Sequence, residues 1–301
     1  MMKRITYLLL LFWTLSVSLS AHSDWEPKAD DAAVVTSGNM RFTVLTPQMI
    51  RIQYSASQQF EDRSTFAVVN RKLEVPSFTS ESLGGYLYIR TSQLELRYLL
   101  GSTPRESDCN PKNLQITFQL NGQTVVWYPG KDDTMNLLGT TRTLDRAWGD
   151  AQRGQLEKGL LSRAGWALID ESPKTRRGDG STTFAMEDSE DGFPWWKEPV
   201  DKQAVDWYFL GYGHDYKQAL GDFTKIAGKV PMPPKYIFGY WYSRYWGYTQ
   251  LEFQNIVSQA EANDVPMDVI IVDMDWHKPG WTGWSWNTNL IPNPTYLRQQ
   301  L

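Results

Sequence analysis

Between residues 34 and 168 the chain is written in short alternating or wholly apolar runs separated by turn residues: 40–45, 49–54, 86–91, 94–99, 114–120 and 124–128. Successive side chains of a strand point to opposite faces, so each run predicts a strand with at least one face in a core. Asn121 and Gly122 fall between the last two runs, and Asn-Gly is a strong short-range hairpin signal because it suits a turn needing positive φ at both central positions. Six strands with no helical periodicity among them predict an all-β sandwich. The segment 173–200 breaks the pattern; rich in Asp, Gly and Arg, and carrying Trp195 and Trp196, it reads as a long loop or insertion.

After Lys229 the periodicity changes. Pro231, Pro233 and Pro234 form a linker, 236–242 is an apolar aromatic run of strand length, and 267–272 is a second, branched one. Between them Thr249 and Glu252 make a capping box, and Phe253, Ile256, Val257 and Ala260 recur at helical spacing, which predicts a helix over 250–262. Strand, helix, strand with short links is a βαβ unit with parallel strands. Such a sheet needs helices on both faces or closure into a barrel, so the chain is expected to end mid-fold, with 296–301 opening a further helix.

At the other end, Lys3 and Arg4 precede an apolar run over 5–19, and the small residues Ser18, Ser20 and Ala21 lie just before the polar stretch from His22, in the manner of a cleavage site. These are the three parts of a signal peptide, predicted over 1–21. The run is about 15 residues long against the roughly 20 a spanning helix needs, so export to a secreted or periplasmic location is expected, with no membrane association after cleavage. Cys109 is the single cysteine, which leaves no internal disulfide and suits a large core-stabilised domain. Loss of Lys3 and Arg4 with the leader takes the net charge from −4 to −6. With no basic cluster to follow a phosphate backbone, nucleic acid is not expected as a partner.

The candidate chemistry sits where the two predicted parallel strands end, the face on which barrel enzymes bind substrates. Asp273, Met274, Asp275, Trp276 and His277 follow the second strand. If strand geometry persists, Asp273 and Asp275 share a face and suit acid–base work, hydroxyl binding or a hard cation; alternatively one of them caps the next turn. Arg244, Tyr245, Trp246, Gly247 and Tyr248 follow the first strand, either to bind and stack on a sugar or to cover the rim. Trp281, Trp284 and Trp286 favour a ligand platform beyond it. His22, His214 and His277 lack paired spacing, so no metal is expected. Gly211 and Gly213 make no dinucleotide fingerprint, no cofactor is expected, and no Gly-x-Ser-x-Gly elbow marks a serine hydrolase. His214 among these glycines reads as a turn or plain loop.

Six segments together resemble glycoside hydrolase family 31: FEDRSTFAVVNRKL (60–73), LEKGLLSRAGWALIDES (156–172), DWYFLGYGHDYKQALGDFTKIAGKVPMPP (206–234), FGYWYSRYWGY (238–248), VPMDVIIVDMDWH (265–277) and WTGWSWNTNLIPNP (281–294). They run in the family's order. The resemblance implies a multidomain protein: a galactose-mutarotase-like β-sandwich over 24–230, then the first strands and helix of a (β/α)8 TIM barrel over 231–301, truncated. It implies hydrolysis of α-linked glucosides by a retaining two-aspartate mechanism, with nucleophile and acid/base both beyond Leu301. Asp273 matches the family's hydroxyl-binding aspartate and Tyr245 an aromatic of the same subsite. Met274 and Asp275 match the pair that shapes room around C6 of the sugar. With Arg244 and Trp276 these form the expected substrate-binding rim for an oligosaccharide or α-glucoside. Asp275 is not the bulky aromatic of α-xylosidase-type members, which favours glucoside specificity. Asn293 departs from the family's usual aspartate, at a turn. The rivals are α-xylosidase specificity, a non-catalytic carbohydrate-binding module, and another α/β-barrel enzyme such as an isomerase or aldolase.

Overall fold

A computed structural model describes residues 26–104, 111–139, 156, 158–173, 185–188, 194–278 and 283–300. The leader, Cys109 and Trp281 lie outside the described residues. The chain divides into two compact units, meeting in sequence between Lys229 and Val230.

The strands of the first unit are β1 (Val34–Ser37), β2 (Met40–Thr46), β3 (Met49–Tyr54), β4 (Ser64–Thr65), β5 (Phe78–Leu83), β6 (Tyr86–Thr91), β7 (Leu94–Leu99), β8 (Leu114–Leu120), β9 (Gln123–Trp127), β10 (Ala167–Asp170), β11 (Ala185–Asp188), β12 (Pro194–Lys197) and β13 (Val205–Leu210). One sheet runs β1-β2-β3-β13-β10, and a second runs β5-β6-β7-β8-β9. Every pairing in the two sheets is antiparallel. Phe42, Ile50, Ile52, Trp207 and Phe209 of the first sheet share one core with Ile89, Leu96, Ile116, Phe118 and Trp127 of the second, so the two sheets form a sandwich. Along β7 and β8 buried and part-exposed residues alternate, whereas β3 and β13 are buried throughout. The reason is a second layer: Met49, Tyr208 and Leu210 point away from the sandwich core into a cluster with Ala219 and Ile226 of helix α1 (Tyr216–Ala227).

The predicted hairpin forms at Asn121 and Gly122, with φ of 52° and 77°. One expectation is corrected in this unit, and one helix is added. The segment 173–200 is not loop throughout: β11 pairs with β12 and, through Ala185 and Met186, with the distant β4 in a small antiparallel sheet. Helix α1 was not anticipated, although Asp215 caps it by accepting from the Gln218 amide at 3.1 Å.

In the second unit helix α2 spans Gln250–Ala262 with its capping box formed, and α3 spans Pro294–Gln300. Strands β14 (Trp241–Tyr242) and β15 (Val269–Ile270) pair in parallel. They are shorter than the runs 236–242 and 267–272 suggest. Pro234 leads into a 3-10 turn over Lys235–Phe238 that ends at Gly239, so the first half of the aromatic run is not extended. No helix among the described residues is long and apolar enough to cross a membrane.

Candidate functional site

The second unit is held by a small cluster: Tyr248, Phe253, Ile291 and Leu297 are buried, and Tyr242, Ile256, Ile270, Val272, Trp276 and Leu290 pack against them. Ile270, Phe253 and Leu297 bring a strand, α2 and α3 together, and the segments that follow the two strands emerge beside this cluster.

The segment after β14 is polar and aromatic. Tyr242 and Tyr248 are joined through their hydroxyls at 2.8 Å. That bond splits the two phenols: Tyr242 is held above the ordinary tyrosine range by its bond to Tyr248, while Tyr248 is held below it by the same bond, with further help from the Arg244 guanidinium. Arg244 lies over the Trp246 ring at 4.9 Å, a cation–π arrangement. Tyr245 is 73% exposed and so presents its ring to solvent.

After β15 the ladder stops. The last bond of the strand pair is from the Ile271 amide to the Tyr242 carbonyl, at 2.9 Å, and Asp275 takes a left-handed φ of 56°. The condition under which Asp273 and Asp275 would share a strand face is therefore not met. Asp273 and Asp275 are exposed and Met274 is half-buried. Trp276 packs edge-on to Trp286 at 5.3 Å and to His277 at 5.0 Å. His277 and Trp286 form an antiparallel bridge, and the Asn287 amide donates to the Trp276 carbonyl at 2.7 Å, so the tryptophan-rich segment folds back on the strand end. Trp284 is 93% exposed. Among the described residues no group of three or more His, Cys, Asp or Glu side chains is placed to hold a metal ion. In the first unit His214 sits in a turn, its Nε2 at 3.0 Å from the Arg163 carbonyl oxygen.

The structure thus gathers Arg244, Tyr245 and Trp246 on one segment, Asp273 to Trp276 on a second, and Trp284 to Asn287 on a third. It joins the second and third directly. The first segment also passes close to the second: a Cβ on Gly247 would lie 2.7 Å from Asp275 Oδ2, so the Asp275 carboxylate occupies the space a side chain at 247 would need. Asn287 bonds both Asp275 and Trp276; the sequence places it in the aromatic loop without showing that role. Its only signal in the sequence is its place directly after the Trp284–Trp286 run.

Residues 230–301 match the Glycosyl hydrolases family 31 TIM-barrel domain. The chain is 34% identical over 137 residues to 1,6-alpha-glucosyltransferase of Sporosarcina globispora, covering 44% of this chain and 10% of that protein. It is 31% identical over 112 residues to Alpha-glucosidase 2 of Bacillus thermoamyloliquefaciens, covering 37% and 14%. In fold it is similar to the family 31 dextranase of Flavobacterium johnsoniae complexed with glucose, with TM-score 0.58 and 17% identity over 89% of this chain and 35% of that one. It is also similar to the family 31 alpha-xylosidase of Xanthomonas citri, with TM-score 0.57 and 13% identity over 90% and 48%. The chain is therefore similar to the glycoside hydrolases of family 31, and residues 230–301 match their barrel domain. It spans well under two thirds of the length of each of these relatives.

Proposed function

We propose that this chain is part of an exported family 31 α-glycosidase that hydrolyses α-linked glucosides with retention of configuration. The observation that supports the proposal is the make-up of the segments that follow two parallel strands: they carry exposed tyrosine and tryptophan rings, a guanidinium and two exposed carboxylates, within residues that match the family's barrel domain. Aromatic faces suit the apolar faces of sugar rings, and charged side chains suit hydroxyls. In this reading Asp273 binds hydroxyls of the sugar being cleaved, Tyr245 lines the same subsite, Met274 and Asp275 shape the space beside it, and Arg244 and Trp276 complete the rim. A retaining mechanism needs two carboxylates about 5–5.5 Å apart, one attacking the anomeric carbon and one protonating the leaving oxygen before activating water. Both are assigned to barrel strands outside residues 1–301. The sandwich over 24–230 is read as galactose-mutarotase-like, and 1–21 as a cleaved leader.

The test compares the 301-residue chain with the product of its gene extended beyond Leu301, on an aryl α-glucoside and an aryl α-xyloside. Cleavage by the extended product alone, with the glucoside preferred, is the expected result. An extended product that cleaves neither sinks the reading, preference for the xyloside reverses the specificity drawn from Asp275, and cleavage by the 301-residue chain relocates the nucleophile into it. N-terminal sequencing of the exported protein, expected to begin near His22, tests the leader.

A further inference from the structure

We propose that Gly247 and Asn287 are positioning residues that together fix the carboxylate of Asp275, so that this side chain is placed by the two neighbouring segments rather than by its own strand. The inference rests on the reading of the strand ends as a sugar-binding rim. Asp275 is a non-glycine residue at φ 56°, a backbone conformation that L side chains adopt at a cost and that needs outside support to persist. Asn287 provides that support on one side. Its side-chain Nδ2 donates to the Asp275 carbonyl at 3.1 Å, and its backbone amide donates to the Trp276 carbonyl at 2.7 Å.

Asn287 is itself anchored. Its carbonyl accepts from the amides of Leu290 and Ile291 at 3.1 and 2.9 Å, its Oδ1 accepts from the Asn289 amide at 3.2 Å, and Ile291 is wholly buried in the unit's core. The support thus runs from Ile291 through Asn287 to Asp275. On the other side is Gly247. Its φ is not in the left-handed region, so backbone freedom does not explain a glycine there. Space does: an added Cβ would meet Asp275 Oδ2 at 2.7 Å and Asp275 Cβ and Cγ at 3.4 Å. A methyl group at 247 pushes the carboxylate away; loss of the amide at 287 frees the backbone that carries it. Neither residue brings a group suited to acid–base or nucleophilic chemistry. Both act through Asp275.

The test uses the extended protein and an aryl α-glucoside. Gly247→Ala and Asn287→Ala are each expected to raise KM about 10-fold with kcat changed less than about 3-fold, the pattern of lost binding common to ground and transition states. Asn287→Asp, which keeps the acceptor for Asn289 but removes the donor to Asp275, is expected to match Asn287→Ala. Placed on Asp275→Ala, Gly247→Ala is expected to add nothing further, because residues acting through one group are non-additive. Effects that add overturn the proposal, as does an equal loss of kcat and thermal stability with KM unmoved. In the 301-residue chain, with no sugar present, Asn287→Ala is expected to speed amide exchange at Lys278 and at residue 287 about 10-fold while Phe253 is unchanged; unchanged exchange overturns the positioning role. An unsubstituted extended protein that cleaves nothing sinks only the functional reading, and the exchange measurement then decides the positioning claim.

Discussion

In the sandwich unit even a guanidinium is taken inside: Arg51, 1% exposed, makes two bonds to Asp206 at 2.8 and 2.5 Å and donates to the Glu61 carbonyl at 2.8 Å. In the barrel unit, Trp284, Phe238 and Tyr245 stand 93%, 76% and 73% exposed around a small buried cluster. Burial alone would lower the Arg51 pKa, but the Asp206 carboxylate beside it more than offsets this and raises it; burial likewise pushes the Tyr208 hydroxyl up to about 12. One unit places its polar groups where solvent is excluded and partners are fixed, which rigidifies a fold. In the other, within this chain, large aromatic rings stand exposed beside a much smaller buried cluster.

The strongest way to break the comparison is to unpair the buried charge. Asp206→Asn leaves Arg51 without its counter-ion and is expected to destabilise the sandwich by about 3–5 kcal/mol, read as a lower urea midpoint. A cost below about 1 kcal/mol would mean that water reaches the pair and that the contrast in burial is overstated. Trp127→Ala is expected to cost about as much, roughly 3–5 kcal/mol, because its indole packs on Phe209 at 5.0 Å and Trp166 at 6.4 Å in the shared core. Hydrogen exchange gives the same contrast without mutation. Amides of β3 and β13 are expected to exchange only on global unfolding, and those of β14, β15 and α2 through local opening, at rates at least about 100-fold faster. Equal protection in both units would show that the barrel segment is as cooperative as the sandwich.

The contrast also explains what could be read in the sequence. Strands β2, β3, β6, β7, β8 and β9 were legible because alternation or a solid apolar run records a face turned to a core, and Asn121-Gly122 marked its own turn. Strand β5 was not, since Phe78–Leu83 is an exposed, polar edge; the Gly84 and Gly85 that close its hairpin at φ 61° and 85° were the available signal. Helix α2 was legible from its capping box, while the flanking strands were overextended because an aromatic run says nothing about which of its backbone groups find a ladder. At the rim, residue types placed Asp273, Asp275, Arg244 and Tyr245 near the strand ends. The left-handed turn at Asp275 and its contacts with Gly247 and Asn287 depend on atoms brought together across 12 to 28 positions, and periodicity does not carry that.

A smaller effect sharpens the account of the sandwich's buried charge. Glu171 lies near Arg51, Arg71 and Asp206 and bonds to the Thr65 hydroxyl and, at 3.3 Å, the Ala67 amide. Burial raises its pKa above the ordinary 4.5. A carboxyl whose folded pKa is raised contributes stability that is fully present below its unfolded pKa and lost as pH rises through the folded value. Glu171→Gln removes that dependence. Relative to the parent it is expected to gain stability as pH rises through the range where Glu171 ionises and to lose that advantage in acid, as read by thermal melts across that range. A variant destabilised at pH 7 would show that the ionised carboxylate, held by the two arginines, is what the fold requires.

The smallest effect bears on the barrel unit. Thr249 caps α2 by accepting from the Glu252 amide at 3.3 Å, while the Glu252 carboxylate accepts from the Thr249 amide at 2.7 Å and is held below the ordinary carboxylate range, first by that backbone bond. Thr249→Ala removes half of this reciprocal pair and is expected to cost about 0.5–1 kcal/mol. The value lies in where the cost appears. If the second unit opens independently, exchange should accelerate along Gln250–Ala262 while β3 and β13 keep their protection, because the lost cap is charged to local opening alone. If instead the sandwich strands accelerate by the same factor, the two units unfold as one, and the exposed aromatics of the rim belong to a single cooperative structure with the buried charges of the sandwich.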